Sequence, residues 1–447
     1  METTLHQATP VEYELEIEAT AEELAPELQE ALRKKRAQTD MKGFRKGKVP
    51  LALVKKMHGQ DIGYGIAERY VQQAFKEQVE SDELDVVGQP TLTELDYELD
   101  GDMRAVIKFG VRPEVELADL SDEEISKLVV DIDDEDVEEE VEQMRIQNAD
   151  LLPVEDEAAA EDDYVIADLQ RIDASTDTPI IGEKEEDLSF FLDDDRLRDE
   201  LRAAIIGKTA GATFRVELPE QTPQGEGEMR LYEVTVKDVK RRDLPPFDEA
   251  LVDEVTDGQF EDPDAFRAEI RRRLEEGWSD RSREMLQSRI VETMLERHPV
   301  PVPESLIEAH LDSFVEQVKQ RNDGELPDDF DMTYFRQRQR GDAEQQARWM
   351  LIRDAVIDQR AIEVSDEDLQ AFFEEQAEGD DQITKQQLEQ FYNSMPRLME
   401  RVKQQILSRK TFDLLASQFD IVEKDREAFE AEMEALHAHA QDHDHDH

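Results

Sequence analysis

Gly43-Phe44-Arg45-Lys46-Gly47-Lys48-Val49-Pro50 is a short cationic loop hinged on two glycines and closed by a proline. Glycine admits backbone conformations that a side chain forbids, and Pro50 fixes the exit of the chain. Between these hinges Arg45, Lys46 and Lys48 are held out with only Phe44 as apolar company. Arginine offers phosphate a planar fork and lysine offers it a point charge. Phe44 is a wedge for a partner's pocket or for the face of a base. The surroundings sharpen the contrast. From Arg33 to Lys56 there are ten basic residues against one acid, Asp40, in a chain with 53 Lys+Arg, 113 Asp+Glu and a net charge of −60. Such an island marks a surface that meets something negative.

Other chemistries find little to work with. Cysteine is absent, which excludes disulfides, a thiol nucleophile and a thiolate metal site. There is no Gly-x-x-x-x-Gly-Lys loop for a nucleoside triphosphate. His310 falls on a broad apolar helical stripe and reads as a core-edge histidine rather than a base. The tract His437-Ala438-His439-Ala440-Gln441-Asp442-His443-Asp444-His445-Asp446-His447 resembles a metal-binding stretch, and its neutral imidazoles suit zinc or nickel. A disordered, solvated end is the expectation for it. No cofactor site and no metal site is expected elsewhere.

Residues 1–115 must position the cationic loop. Val11, Tyr13, Leu15 and Ile17 alternate with glutamates, the pattern of a half-buried strand. Leu24, Leu28 and Leu32 give a helix from about Ala21 that runs into the basic segment. Beyond the loop, Leu51, Val54 and Met57 indicate a short helix, and Ile62 to Val79 a longer one. Strands over Thr91 to Leu99 and Arg104 to Val111 complete an α+β unit. An acidic connector, 116–160, holds a capping-box spacing at Ser121-Asp122-Glu123-Glu124 and a helix over Asp133 to Asp150. Residues 161–243 form a small β-rich domain, with strands over Tyr164 to Ile172, Thr213 to Leu218 and Met229 to Val239. A short helix from Asp195 to Ile206 ends there at Gly207. Residues 244–430 are all-α, with Pro263 and Pro303 opening two helices, and 431–447 are the His-rich tail. The fold class is multidomain α+β.

The octapeptide resembles the ribosome-binding signature of the trigger factor family, Gly-Phe-Arg-x-Gly-x-x-Pro, met here by Gly43, Phe44, Arg45, Gly47 and Pro50. The resemblance implies a helix-loop-helix tip docking beside the exit tunnel of the large ribosomal subunit, with Lys46 and Lys48 adding charge. It implies that the helical arms form a cradle for nascent and unfolded polypeptides, and that free molecules dimerise weakly. It also implies that residues 161–243 are a prolyl isomerase domain of the FK506-binding-protein type, rotating X-Pro bonds over a barrier of ~18–20 kcal/mol. Here the sequence departs from the family. The family's Ile/Val-Pro-Gly-Phe is replaced by Arg198, Asp199, Glu200 and Leu201, and its Asp-Phe pair by Asp168-Leu169. The aromatic flap is shortened to Gln221-Thr222-Pro223-Gln224-Gly225. Asp168, Leu169 and Leu201 are what remains of an isomerase pocket, and that pocket looks degraded.

The expected function is an ATP-independent, ribosome-associated chaperone that holds new chains open for folding or export. Two alternatives stand beside it: a working prolyl isomerase targeted to the ribosome, and an acidic interaction protein docking on RNA. Dispersed apolar surface suits a holdase. Met332, Met350, Met395 and Met399 are candidates for it, with ordinary helix core as the expected role of each. The N-terminus lacks a secretory pattern, and no apolar run reaches the ~20 residues that span a bilayer. The expectation is a cytoplasmic protein with neither a membrane nor DNA as partner. The acidity points to a host at high salt, where a Debye length of about 3 Å screens the self-repulsion.

Overall fold

The computed structural model describes residues 1–42, 44–154, 157–222, 225–378 and 384–444. These fall into two compact units, Met1–Leu128 with Ser282–His447, and Val129–Arg281. The whole is a multidomain α+β protein.

In the first unit, β1 (Glu2–Gln7) pairs antiparallel with β2 (Glu12–Ala19). The alternation in β2 turns Leu15 and Ile17 to the inside, where both are fully buried. α1 (Ala21–Gln38) starts at Thr20, whose backbone N–H donates to the Glu23 carboxylate at 2.9 Å. It buries Leu24, Leu28 and Leu32, as their four-residue spacing requires. α2 (Leu51–Ser81) is one continuous helix where two were expected. The reason is close packing: a Cβ on Gly63 would lie 2.4 Å from the Tyr97 ring, and one on Gly59 2.9 Å from Leu99. These glycines admit a neighbour rather than break the helix. β3 (Val86–Tyr97) and β4 (Met103–Val111) complete a sheet ordered β1-β2-β4-β3. Its core gathers Leu15, Ile17, Met103 and Phe109 with the helix leucines. Phe75 meets Phe109 edge-on at 5.0 Å.

The capping-box spacing at Ser121 does not open a helix. It leads into β5 (Glu124–Leu128), which pairs in parallel with Asp420–Lys424. Ile125 and Leu128 are buried there, so a tertiary partner overrides the local signal.

The second unit begins with α3 (Asp134–Gln147), capped by the Asp133 carboxylate, which accepts from the Glu135 and Asp136 N–H groups. Its sheet holds β6 (Asp150–Pro153), β7 (Tyr164–Asp173), β8 (Thr178–Phe191), β9 (Thr213–Thr222) and β10 (Gly225–Asp243), with α4 (Asp199–Ile205) packed on it. The order is β6-β10-β7-β8, and β9 lies along β10. β6 and the edge strand β8 were not anticipated. α5 (Glu249–Val255) and the start of α6 (Pro263–Arg297) join α3 around a small core of Val137, Val141, Val252, Phe266 and Ile270.

From Ser282 the chain returns to the first unit. There follow α7 (Glu304–Arg321), α8 (Met332–Arg360), α9 (Asp366–Glu378), α10 (Lys385–Ser394), α11 (Pro396–Ala416), β11 (Asp420–Lys424) and α12 (Arg426–Asp444). Leu306, Leu351, Ile352, Val356 and Leu415 share a core with Ile290 and Met294 of α6. His298, buried, accepts from the Ala118 N–H at Nε2 (3.0 Å) while Nδ1 bonds the Met294 carbonyl (2.7 Å). His310 sits half-buried on α7, as expected of a core-edge histidine, and burial pushes its pKa down. α12 extends into the His-rich tail as far as Asp444, and residues 445–447 of that tail lie outside the described residues. Alanine, glutamate, methionine and leucine favour a helix, and buried Phe429 with the Lys424–Glu432 pair (3.1 Å) ties down its start.

Candidate functional site

The cationic loop joins the C-terminal end of α1 to the first turn of α2. Thr39 closes α1: its N–H and its hydroxyl both donate to the Lys35 carbonyl, at 2.9 and 2.7 Å. The Phe44 N–H then donates to the Met41 carbonyl at 3.0 Å, and the Lys48 N–H to the Arg45 carbonyl at 2.8 Å. Two consecutive tight turns result, with Phe44 at the first and Arg45, Lys46 and Gly47 in the second. Gly47 has φ +76° and backs onto the Ala37 backbone, a position that a side chain would strain. Val49 is 1 % exposed and anchors the loop to the sheet-and-helix core. Pro50 caps α2, and its carbonyl accepts from the Leu53 and Val54 N–H groups. Gly43 lies outside the described residues.

Anchored this way, the loop presents its other side chains outward. Phe44 is 42 % exposed, a high value for phenylalanine in a folded domain. Arg45, Lys46 and Lys48 are exposed. Among the described residues none of the three, nor Arg33, Lys35, Lys42 or Lys56, has an ion-pair partner. Several other cations of the same unit are closely paired: Lys108 with Glu14 at 2.7 Å, Arg112 with Asp85 at 2.6 Å, and Lys55 with Asp100 at 2.5 Å. With acids in twofold excess, a run of unpaired cations is a surface kept open for a negative partner.

A second feature lies among α6, α7 and α8. Val291, Leu295, Phe314, Val318, Phe335 and Trp349 line an open groove of about 440 Å³. It shares Val291, Leu295 and Gln345 with a wider one of about 920 Å³ that reaches Phe412. Glutamines 317, 339, 345 and 346 stand between the apolar groups. Arg321 and Asp342 complete its lining. The methionines singled out from sequence do not line it. Met350 packs partly against the helical core, and Met395 is 43 % exposed at the start of α11. None of the four is buried. The missed signal was apolar residues on α6, α7 and α8 that lie off the core-facing period.

In the β domain, Leu169 and Leu201 are both buried in the same core. Asp168 is side by side with Leu169 in sequence but has other business. Its carboxylate accepts from the Lys237 ammonium (2.9 Å), the Lys184 ammonium (3.1 Å) and the Asp187 N–H (3.0 Å). Lys237 first, and then the Asp187 N–H and Lys184, outweigh burial and hold its pKa at about 2. Asp163, fully buried, is a parallel case. Burial alone would raise its pKa, but the Arg241 fork and the Ala160 N–H together bring it below the usual range. Of the shortened flap, Pro223 and Gln224 lie outside the described residues.

These carboxylates make the β domain acid-sensitive. A folded pKa below the unfolded value contributes stability above about pH 4, which is lost as pH falls through the folded value. The melting temperature of the wild type should therefore exceed that of Asp168→Asn above about pH 4 and converge with it toward pH 2. Calorimetry of both proteins across that range checks the sign. A constant difference would show that Asp168 acts by packing instead of charge.

Residues 1–144 match the family model described as bacterial trigger factor protein, and residues 264–417 match the model of the trigger factor C-terminus. The chain is similar to the trigger factor of Salinibacter ruber, 59% identical over 443 residues and covering 96% of each chain. It is 34% identical over 380 residues to that of Chloroherpeton thalassium, covering 84% of this chain and 88% of that one. Over 424 residues it is 31% identical to the trigger factor of Chlorobaculum tepidum. A solved structure described under "Promiscuous Substrate Recognition in Folding and Assembly Activities of the Trigger Factor Chaperone" aligns over 93% of this chain and 99% of that one. Its TM-score is 0.48 at 21% identity.

Proposed function

We propose, from the premise that the chain belongs to the bacterial trigger factor family, that its loop at Phe44, Arg45, Lys46 and Lys48 docks it on the large ribosomal subunit near the exit tunnel. The chain is a ribosome-associated chaperone, and its partners are the ribosome and nascent polypeptides. The observation that carries the docking assignment is the unpaired cationic loop around an exposed phenylalanine, in an otherwise acid-rich chain. Gly47 and Pro50 shape the loop, and its side chains make the contact.

The amide-and-aromatic groove among α6, α7 and α8 is our reading of where an unfolded chain rests. Hydrophobic contact there is passive, and no nucleotide loop of the Gly-x-x-x-x-Gly-Lys type is present in the sequence to drive release. For the isomerase candidates Asp168, Leu169 and Leu201 we propose a structural role first. Two of them fill a core, and the third is occupied by two lysines. Any isomerase activity of this domain is weak on that reading. Among the described residues no helix is long and apolar enough to cross a membrane. We place the chaperone in the cytoplasm of a salt-adapted cell, in keeping with the net charge of −60, and expect a weak homodimer off the ribosome.

The test is co-sedimentation with ribosomes of the intact protein and a Phe44→Ala/Arg45→Ala/Lys46→Ala variant. The variant should stay in the supernatant while still slowing aggregation of an unfolded client. Equal pelleting of both proteins would remove the loop from the docking surface.

A further inference from the structure

Arg36 stands apart from the other cations around the docking loop. Its Nε is the one buried side-chain nitrogen or oxygen among the described residues that finds no hydrogen-bond partner. A guanidinium can only donate, so a donor shut away from water and left unbonded raises the free energy of the state that holds it. The usual reasons for an arginine at this place are missing. Arg36 lies in the last turn of α1, where a cation can bond the final carbonyls of the helix. Thr39 already takes them. Its N–H donates to the Lys35 carbonyl at 2.9 Å and to the Arg36 carbonyl at 3.3 Å, and its hydroxyl donates to the Lys35 carbonyl at 2.7 Å. Nor is a carboxylate brought to the guanidinium, in a chain with 113 Asp+Glu. Lys34, two residues back, pairs with Glu30 at 2.7 Å, whereas Arg36 pairs with no acid among the described residues.

We propose that Arg36 is a docking residue kept folded away in the free protein, which turns out on the ribosome to bind a phosphate of the RNA backbone. This rests on the docking assignment and adds to it a partner chemistry and a residue outside the octapeptide. The loop folds against the turn that carries Arg36: a Cβ on Gly47 would lie 3.5 Å from the Ala37 carbonyl oxygen. The unpaired cations of this region form a stripe rather than a point. Arg33 and Lys35 precede Arg36 on α1, Lys42, Arg45, Lys46 and Lys48 follow in the loop, and Lys56 lies on α2. A carboxylate answers one such charge, whereas a nucleic-acid backbone repeats its charge along the whole stripe. The planar fork of arginine also matches phosphate oxygens. A partner moves an equilibrium only by interacting differently with its two states. That difference is built into Arg36. Its side chain is half-buried, and packing of the methylene stem holds it in when only water is outside. A phosphate gives the donors acceptors and relieves the orphaned Nε, so the side chain that costs stability at rest contributes affinity when docked.

Arg36→Met in the full-length protein keeps the length and the apolar stem but has no donor, and it should move stability and binding in opposite directions. Thermal unfolding should show the variant's first unit melting a few degrees above the wild type. Titration with ribosomes over a range of potassium chloride should show affinity lowered roughly tenfold at low salt. The slope of log affinity against log salt should fall by about 0.7–0.9. Arg36→Lys, which keeps the charge, should keep the wild-type slope. Three results would each overturn the proposal. One is an Arg36→Met variant that binds as the wild type does while Phe44→Ala/Arg45→Ala/Lys46→Ala does not, which leaves the docking assignment standing. The second is an Arg36→Met variant that melts below the wild type, which shows that the guanidinium is satisfied at rest. The third is weakened binding with an unchanged salt slope, which gives the contact to a ribosomal protein instead of RNA. Full binding by the triple variant would remove the docking assignment, and the role of Arg36 with it.

Discussion

Replacing Gly88 with alanine is expected to cost the first unit about 3 kcal/mol or more and to free the first turn of α7 from the N-terminal sheet. Two penalties coincide there. Gly88 has φ +72°, and a Cβ on it would lie 2.5 Å from the Ser305 carbonyl carbon and 2.8 Å from the Leu306 nitrogen. Those atoms are backbone and cannot swing aside. Gly110 of β4 repeats the arrangement, with a Cβ position 2.3 Å from Pro303. The sheet and α7 are held at this distance by two further contacts, next to a buried Leu306 that packs in the helical core. The Glu304 N–H donates to the Glu12 carboxylate at 2.5 Å, and the Ser305 hydroxyl donates to the Val87 carbonyl at 2.9 Å. Gly182→Ala is the control. Its φ is +87° but nothing lies within reach of the added methyl, so only the backbone term of about 1 kcal/mol applies. Thermal unfolding gives the size of the effect, and hydrogen exchange of residues 304–311 gives its location. If Gly88→Ala melts like the control and those amides stay protected, the close approach is not a structural requirement.

What could be read from the chain beforehand follows from how local each feature is. The alternation through Tyr13, Leu15 and Ile17 and the leucines of α1 are decided within one element, and both appear as the pattern demands. The cationic loop was legible because Gly47 permits a left-handed turn and Pro50 fixes φ, properties local to each residue. The roles of Gly59 and Gly63 were not legible. Their meaning depends on Leu99 and Tyr97, side chains that only the tertiary fold brings over α2. The pairing of β5 with β11 was hidden for the same reason, since its two halves lie at opposite ends of the first unit's sequence. The groove among α6, α7 and α8 was also hidden. Leu295, Phe314 and Trp349 line it, and their meeting depends on how three separate helices pack. The state of Asp168 rests on two lysines from other strands, and nothing next to it in sequence names them.

Docking through the loop should separate into a part that salt removes and a part that it does not. Against RNA phosphate, each lysine or arginine contact releases counterions and adds about 0.7–0.9 to the slope of log affinity against log salt. Arg45→Ala/Lys46→Ala/Lys48→Ala should thus bind ribosomes more weakly at low salt and flatten that slope by about 2–3. Phe44→Ala should behave differently. Burying an aromatic side chain is worth about 1.5–3 kcal/mol, so its loss should lower affinity by roughly ten- to a hundredfold, nearly independently of salt. Binding titrations of the three proteins over a range of potassium chloride distinguish the two behaviours. If the phenylalanine effect faded with salt while the cation effect persisted, the roles assigned to them would be reversed. At molar salt the Debye length shrinks to about 3 Å and exposed charges hardly sense each other. In a cell with that interior, Phe44 would carry most of the docking free energy, and the cations would remain to choose where it lands.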